Sequence, residues 1–337
     1  MANNVLRNID GLCELHVHLD GSIRPKTFIE LYNREEKVDG NQFTTVDDVT
    51  TKLAFQVGWD LPQCLKSFAT TLKILQTKES IERVTFELCE DLHLHSKVTY
   101  AEIRYCPSLH RQKGLSDHEI VTAVANGLRH AMQKYPETSF FQIITILRDL
   151  GEEEGMRMAK LACQYKLEKL IVGVDLAGNE YDHPPEKFMD AFNLVFENNL
   201  GITIHAGEGK TEQAEKNIIT SIEKLHATRI GHGVAARQSA ETRKILKENN
   251  ISIEICPTSN VHTGSISSIE DHPAKQFVNE GIRIIPCCDN SLLSQTNTKM
   301  EYELLSAKCN FNENEIVKIA KDAFNAAFQK QNEGREN

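Results

Sequence analysis

The chain has 337 residues, of which 40% are hydrophobic, and a formal net charge of -10 from 38 Lys and Arg against 48 Asp and Glu. Such a charge repels a phosphate backbone, so nucleic acid is not an expected partner. The first residues, MANNVLRNIDGL, hold no apolar stretch suited to a signal peptide, and no run is long enough to span a bilayer. The nine cysteines form no CxxC pair, which favours reduced thiols in a cytoplasmic enzyme. We expect neither a membrane nor an obligatory protein as a partner.

Short apolar, β-branched runs recur along the whole chain and predict strands. There are eight of them, at 12–18, 98–105, 139–147, 170–177, 201–206, 227–233, 251–256 and 282–288. Between most of them lie segments with apolar residues at helical spacing, such as ESIERVTFELCEDLHLH. Because a crossover between parallel strands needs a helix, this alternation predicts a (β/α)8 TIM-type barrel, formed as a single domain over residues 1–337.

Three segments qualify the simple barrel. Residues 21–97 form a first connection too long for one helix, so we expect several extra helices that cover the C-terminal mouth. Pro286 falls inside the eighth run, where proline cannot donate to a neighbouring strand, so we expect an irregular sheet there. Residues 312–330 predict a closing helix.

Four candidate metal ligands lie at the ends of three predicted strands: His16 and His18 on the first, His205 on the fifth and Asp289 on the eighth. Residues i and i+2 of a strand share a face, so His16 and His18 are predicted to point into the barrel together. An HxH pair alone is a weak signal, but all four positions fall on the catalytic face of such a barrel. Imidazoles with one carboxylate suit zinc, with iron and cobalt as alternatives.

Two further residues have the chemistry that a metal-activated water requires. Glu208 follows His205 in a Gly-flanked loop and is a candidate general acid or base, especially if burial raises its pKa. The alternative for Glu208 is an exposed loop glutamate. His232, between two glycines, is a candidate for orienting the metal-held water, and its alternative is a buried histidine satisfied by backbone.

Six motifs resemble the adenosine deaminase family in order and spacing. They are HVHLDGS at 16–22, DLAGNE at 175–180, HAGEG at 205–209, GHG at 231–233, EICPTSN at 254–260 and CDN at 288–290. The resemblance covers about residues 10 to 330. It implies a barrel with one Zn2+ per chain that hydrolyses the 6-amino group of adenosine, and of 2′-deoxyadenosine, to inosine-type products and ammonia in purine salvage.

The resemblance also assigns roles to individual residues. The metal ligands it implies are His16, His18, His205 and Asp289. It makes Glu208 the proton donor to purine N1, while His232 and Asp289 steer the attacking hydroxide and stabilise the charge that develops. The residues it places against the small-molecule purine nucleoside are His18, Asp20, Gly178 and Asn290.

Asp20 bears on which purine is the substrate. In the family that the chain resembles, an aspartate here clamps the ribose 5′-hydroxyl, whereas relatives acting on adenine have Glu and relatives acting on N-methylated AMP have Asn. A carboxylate would repel a 5′-phosphate, so Asp20 favours a nucleoside. Asp20 as a simple turn cap is the alternative. At the level of function, the alternative is a deaminase of adenine, N-methylated AMP or methylthioadenosine.

Two positions depart from the family pattern. Asn290 stands where animal-type members have a second aspartate, and its amide can still donate a hydrogen bond to purine N7. Cys64 lies in LPQCLKSF, which resembles the helix that lids the family's pocket, at a position where mammalian-type members have an aromatic residue. We therefore expect a roomier pocket that tolerates methylthio-substituted or otherwise modified nucleosides.

Overall fold

A computed structural model describes residues 5–35, 43–166 and 168–333. Eight parallel strands form one sheet in which neighbours in sequence are neighbours in space, from β1 to β8. The strands are β1 (Leu12–His18), β2 (Val98–Tyr105), β3 (Ser139–Leu147), β4 (Ile171–Ala177), β5 (Gly201–Ala206), β6 (Arg229–His232), β7 (Ser252–Ile255) and β8 (Arg283–Pro286). Each strand lies within its predicted run, and the (β/α)8 prediction is confirmed.

Helices alternate with these strands and surround the barrel. They are α1 (Pro25–Glu35), α2 (Val46–Leu53), α3 (Leu61–Thr71), α4 (Lys78–Ser96), α5 (Asp117–Lys134), α6 (Gly151–Tyr165), α7 (Met189–Glu197), α8 (Glu212–Leu225), α9 (Ala240–Glu248), α10 (Pro257–His262), α11 (Ala274–Asn279), α12 (Thr298–Lys308), α13 (Glu313–Ala323) and α14 (Phe328–Glu333). Local chemistry sets their ends: Ser116 caps α5 by accepting from the Glu119 amide, and Glu119 accepts from the Ser116 amide in return.

The long first connection contains helices α1 to α4, as expected. Helix α3 lies over the carboxyl ends of the strands, where Cys64 and Phe68 line the same cavity as His18 at the end of β1. Among the extra helices, α3 therefore covers the mouth of the barrel, where a barrel enzyme has its site.

The barrel closes through Asp289, beyond the proline. Pro286 pairs with Ile255 of β7, and β8 ends there. The Asp289 amide donates to the His16 carbonyl at 2.9 Å, and the His18 amide donates to the Asp289 carbonyl at 2.8 Å. The irregularity expected from Pro286 is therefore seen at the seam, which is the contact between β1 and the segment that follows β8. Proline has no N–H to donate, and Asp289 makes the hydrogen bonds to β1 instead. This seam holds Asp289 between the two histidines of β1.

Phe328, at the start of α14, is buried against the beginnings of β4 and β5. A Cβ at Gly201 would lie 2.1 Å from Phe328 Cγ, and one at Gly173 would lie 2.5 Å from Phe328 Cδ2. The guanidinium carbon of Arg229 sits 3.5 Å above the centre of the same ring. The C-terminal segment thus fills the end of the barrel opposite the mouth.

Two further expectations can be compared with the fold. All nine cysteines are free thiols, eight of them buried. In the described part of the chain, no helix combines the length and the apolar character needed to cross a membrane.

Candidate active site

A cavity of about 290 Å³ opens at the carboxyl ends of the strands. It is the size of site that accepts a small organic molecule. Eight of the nine predicted site residues line it: His18, Asp20, Gly178, His205, Glu208, His232, Asp289 and Asn290. The ninth, His16, is fully buried beneath the cavity floor.

The predicted ligands converge on one point. His16, His205, His232 and Asp289 each offer a ligand atom, and these atoms lie within 4.8 Å of one another. His18 Nε2 lies 3.2 Å from His205 Nε2 and 3.4 Å from Asp289 Oδ1. The structure therefore brings together all four predicted ligands and adds His232 as a fifth candidate.

Two buried carboxylates orient the rings. Glu254 Oε2 lies 2.7 Å from His16 Nδ1, and Asp175 Oδ1 lies 3.0 Å from His205 Nδ1. A ring that donates Nδ1–H to a carboxylate presents its Nε2 lone pair on the other side. His16 Nε2 is buried without a hydrogen-bond partner among the described residues and has Asp289 Oδ1 at 3.5 Å. A buried acceptor without a donor, aimed at a carboxylate and other imidazoles, fits a metal ion.

Two buried arginines balance the charge of these carboxylates. Arg104 Nη2 lies 2.8 Å from Glu254 Oε2, and its Nη1 lies 3.3 Å from Asp175 Oδ2. Arg229 Nε lies 2.6 Å from Glu254 Oε1, and its Nη2 lies 2.6 Å from Glu102 Oε2. Burial alone would raise the pKa of Glu254, but Arg104 and Arg229 hold it well below its usual range. Glu254 therefore remains an anion facing His16.

Sequence reasoning assigned no role to Asp175, Glu254 or Arg104. Asp175 and Glu254 lie within motifs that were recognised, but only as part of the family pattern. The available signal was the occurrence of charged residues inside otherwise apolar strand runs, such as GVDLA and SIEI. A charge buried in a strand requires a partner. Here Glu254 and Asp175 each contact Arg104 and one of the candidate metal-ligand histidines.

Burial keeps most of the imidazoles neutral. It lowers the pKa of His205, and it lowers the pKa values of His18 and His232 well below the usual range. His16 differs: burial and Arg104 oppose its charge, but Asp289 and Glu254 raise its pKa. Burial would raise the pKa of Asp289, but the imidazoles, His16 first, hold it well below its usual range. The cluster thus holds an ionised carboxylate among imidazoles.

Glu208 is held over this cluster by its neighbours in the loop. The Glu180 carboxylate accepts from the Gly207 amide at 3.1 Å and the Gly209 amide at 2.5 Å, while the Glu208 carbonyl accepts from Ser265 Oγ at 2.6 Å. Glu208 is only 7% exposed, which rules out the exposed-loop alternative. Burial, with the negative charges of Asp289 and Glu180, raises the pKa of Glu208 to about 8. This shift favours the protonated carboxyl group near neutral pH.

His232 and Asp289 both have left-handed backbone, with φ 62° and 60°. Such a conformation is uncommon for residues other than glycine and is concentrated at functional sites. His232 Nε2 lies 3.7 Å from Glu208 Oε2, and its Nδ1 lies 3.0 Å from Asn260 Nδ2. His232 therefore faces Glu208 through Nε2 and contacts the Asn260 side chain through Nδ1. The alternative, a buried histidine whose ring bonds only to backbone, does not describe it.

The predicted substrate residues form the rim of the cavity. Asp20 is 5% exposed with Oδ1 unpartnered among the described residues, and burial, with Asp289, raises its pKa to about 7. Gly178 has φ 100°, and a Cβ there would lie 2.3 Å from Asp149 Oδ2. Asn290 is buried, and its Oδ1 has no hydrogen-bond partner within the described ranges, so polar groups remain available at this rim.

The opposite wall is apolar. It is lined mainly by Phe55, Leu61, Cys64, Leu65, Phe68, Ala69, Leu72 and Leu109. Most of these side chains come from α3, the helix that resembles the family's lid. An apolar wall facing a polar cluster suits a flat heteroaromatic ring with polar edges.

Residues 11–336 match the family model described as Adenosine deaminase. A relative named adenosine deaminase from Clostridium botulinum (strain 657) is 34% identical over 325 residues, which cover 94% of this chain and 93% of the relative. The apo structure of the N6-methyl-AMP deaminase from Arabidopsis thaliana aligns with a TM-score of 0.80 and 27% identity over 96% of this chain and 95% of that one. The adenine deaminase from Arthrobacter aurescens shares the fold, with a TM-score of 0.85 and 23% identity over 95% and 94%. The chain therefore belongs to the adenosine deaminase family of hydrolytic deaminases, as its six motifs implied.

Proposed function

We propose that this protein hydrolyses the 6-amino group of adenosine, and of 2′-deoxyadenosine, releasing ammonia and the corresponding inosine, with one zinc ion per chain. The observation that carries the proposal is the buried Glu208 carboxyl group, which faces a convergent histidine and aspartate cluster across a cavity of about 290 Å³. Membership of the family supports the same reaction.

The donor set favours zinc, because neutral imidazoles with one carboxylate are typical of catalytic zinc sites. The residues that would hold the ion are His16, His18, His205 and Asp289. A bound zinc supplies a Lewis acid that makes water nucleophilic near neutral pH. Asp175 and Glu254 then contribute by keeping the Nε2 lone pairs of His205 and His16 directed inward.

Glu208 is the proposed proton donor to purine N1. The loop bonds to Glu180 and Ser265 hold it, and burial raises its pKa and so favours the protonated form. Protonation of N1 withdraws electrons from the ring and makes C6 a better electrophile for water.

His232 and Asp289 both line the cavity and are the proposed partners of the attacking water. A hydrogen bond from His232 would orient the water and stabilise the negative charge that develops in the transition state. The ionised Asp289 can accept a proton of the water in the same step. Their left-handed backbone holds both side chains over the cavity.

Asp20, Gly178 and Asn290 are the proposed substrate contacts. Asp20 would accept a hydrogen bond from the ribose 5′-hydroxyl, and Asn290 would donate a hydrogen bond to purine N7. Gly178 lines the cavity and would present its backbone to the purine edge. The position requires glycine, because its φ is 100° and a Cβ would clash with the Asp149 carboxylate. The apolar face of α3 would cover the base.

The decisive assay is ultraviolet-monitored turnover of adenosine, adenine, AMP and N6-methyl-AMP side by side on metal-analysed protein. We expect rapid loss of adenosine with about one zinc per chain. Turnover of N6-methyl-AMP or adenine in preference to adenosine would contradict the proposed substrate. No turnover of any purine despite bound zinc would contradict the reaction itself.

We also propose that the chain acts in the cytoplasm as one domain, without nucleic acid, membrane or an obligatory protein partner. Nine free thiols suit a reducing compartment, and the family match over residues 11–336 suits a single domain. The formal charge of -10 disfavours a polyanionic partner.

A further inference from the structure

A buried chain of hydrogen bonds runs behind the active site to His232. It passes through Asn260 on α10 and His272, which directly precedes Pro273 and α11. Asn260 is fully buried, His272 is 5% exposed and His232 is 1% exposed. Neither Asn260 nor His272 lines the cavity.

The direction of this chain is set at its far end by a backbone amide. The Ala274 N–H donates to His272 Nδ1 at 3.1 Å. An amide can only donate, so His272 Nδ1 must be the unprotonated nitrogen of its ring. Burial, with the nearby Arg237, lowers the pKa of His272 to about 3. The ring is therefore neutral, and its single proton is on Nε2.

The proton on His272 Nε2 orients the next member. His272 Nε2 lies 3.3 Å from Asn260 Oδ1, so the imidazole donates and the amide oxygen accepts. With its oxygen turned to His272, the Asn260 amide presents Nδ2 to His232 Nδ1 at 3.0 Å. An amide nitrogen donates, so His232 Nδ1 accepts. Neutral His232 must then carry its proton on Nε2, the nitrogen that faces Glu208.

We propose that His272 and Asn260 are positioning residues that hold His232 as the Nε2–H tautomer. His232 then donates a hydrogen bond into the cavity and is not a metal ligand. His16 and His205 have the opposite arrangement, since their Nδ1 atoms face carboxylates and their Nε2 atoms face the other members of the histidine and aspartate cluster. This chain of hydrogen bonds from Ala274 through His272 and Asn260 to His232, here called the relay, makes His232 a hydrogen-bond donor, whereas His16 and His205 are candidate metal ligands.

The tautomer can be measured directly by NMR on zinc-loaded protein labelled with 15N-histidine. Signals lost in His232→Asn and His272→Asn identify the two rings. We expect both rings to be neutral, with protonated Nε2 and unprotonated Nδ1. A proton on His232 Nδ1, or a charged His232 ring, would overturn the proposal.

Asn260→Asp changes the direction of the relay with little change of shape. A carboxylate accepts from both rings, so His232 should move its proton to Nδ1 and lose its donor toward the cavity. In the 15N spectrum we expect His232 Nδ1 to give the signal of a protonated nitrogen and His232 Nε2 that of an unprotonated nitrogen, the reverse of the wild type. The expected effect on turnover rests on the proposed function. We expect kcat to fall by about 10²–10³-fold, which is the usual effect of losing one hydrogen-bond donor to the transition state. The change in KM should be much smaller. An unchanged tautomer and kcat in folded protein would contradict the relay.

His272→Gln and His272→Glu form a matched pair that tests the relay without changing Asn260. Both variants remove the imidazole and keep a side-chain oxygen that can accept, but only Gln has an N–H that can donate to Asn260 Oδ1. We expect Gln to retain more activity than ionised Glu, and the two to converge at low pH, where a protonated Glu also donates. Equal kcat at all pH values would show a merely structural role. If wild-type protein deaminates no purine, the proposed function fails, while the NMR result still decides the tautomer.

Discussion

Glu254 Oε2 lies 2.7 Å from His16 Nδ1, and both side chains are completely buried. The two residues belong to β7 and β1, which are not adjacent in the sheet, so the contact crosses the interior of the barrel. Arg104 holds the same carboxylate oxygen at 2.8 Å. The orientation of a metal-type histidine is therefore tied to the charge balance of the barrel interior.

Glu254→Gln is expected to weaken metal binding by about 10–100-fold, the usual effect of losing the partner of a ligating histidine. The measurement is competition with a zinc chelator. Glu102→Gln is the matched control, because Glu102 also pairs with Arg229 but makes no hydrogen bond or ion pair to a histidine among the described residues. Both variants should lower the free energy of unfolding, by up to roughly 3–5 kcal/mol if a buried arginine loses its partner. Equal loss of metal affinity in both would contradict a specific role for Glu254.

Glu208→Gln should retain metal and lose about 10²–10⁴-fold in kcat, because general acid catalysis contributes that much. Metal content by atomic absorption and steady-state kinetics check the two halves of this prediction. Near-wild-type kcat would remove Glu208 from the mechanism.

Activity should decline on the alkaline side. Burial raises the pKa of Glu208 to about 8. The proposed role of Glu208 as proton donor requires its protonated form. Activity is therefore present below the pKa of the folded protein and is lost as pH rises through it. A cation held by the cluster would offset Asp289 and move this pKa below about 8. The decline should appear in the kcat/KM profile of the wild type and be absent from the residual activity of Glu208→Gln.

Glu180→Gln tests whether the loop bonds position Glu208. A neutral amide cannot accept from the Gly207 and Gly209 amides at both of its atoms, so the loop should shift. A displacement of about 1 Å can cost about 10²-fold in rate, and we expect kcat to fall by 10–100-fold. Glu186→Gln is the control, because Glu186 bonds Thr220 and does not line the cavity. Similar losses in both variants would argue for a general effect on stability.

Asp20→Asn should lower turnover of adenosine and raise the ratio of AMP turnover to adenosine turnover. The carboxylate repels a phosphate, and more strongly above its pKa of about 7. The wild-type preference for adenosine should therefore increase with pH, while the preference of Asp20→Asn should not. Competition assays with the two substrates measure the ratio, and an unchanged ratio would leave Asp20 without a role in specificity.

Cys64→Phe should narrow the cavity. Cys64 is 1% exposed on α3 and lines the wall that would cover the substrate. We expect kcat/KM for methylthioadenosine to fall more than kcat/KM for adenosine. If both fall equally, Cys64 does not set the tolerance for modified nucleosides.

The strands, the barrel and the four ligands could be predicted because their signals are local. Apolar runs mark the strands, and in a parallel barrel every strand must end at the same mouth, so His16, His18, His205 and Asp289 had to converge. Even the irregular seam could be expected from Pro286, because the missing N–H of proline is a property of that one residue.

The tertiary structure alone decided which groups control those ligands. Glu254 meets His16 across 238 positions of sequence, Asp175 meets His205 across 30, and Asn260 meets His232 across 28. The sequence shows these residues as polar positions in or beside apolar runs, and local patterns cannot say which partner a buried polar group finds. That choice depends on the register of the strands and on the tilt of the barrel, which bring specific side chains within hydrogen-bond distance only when the whole sheet has closed.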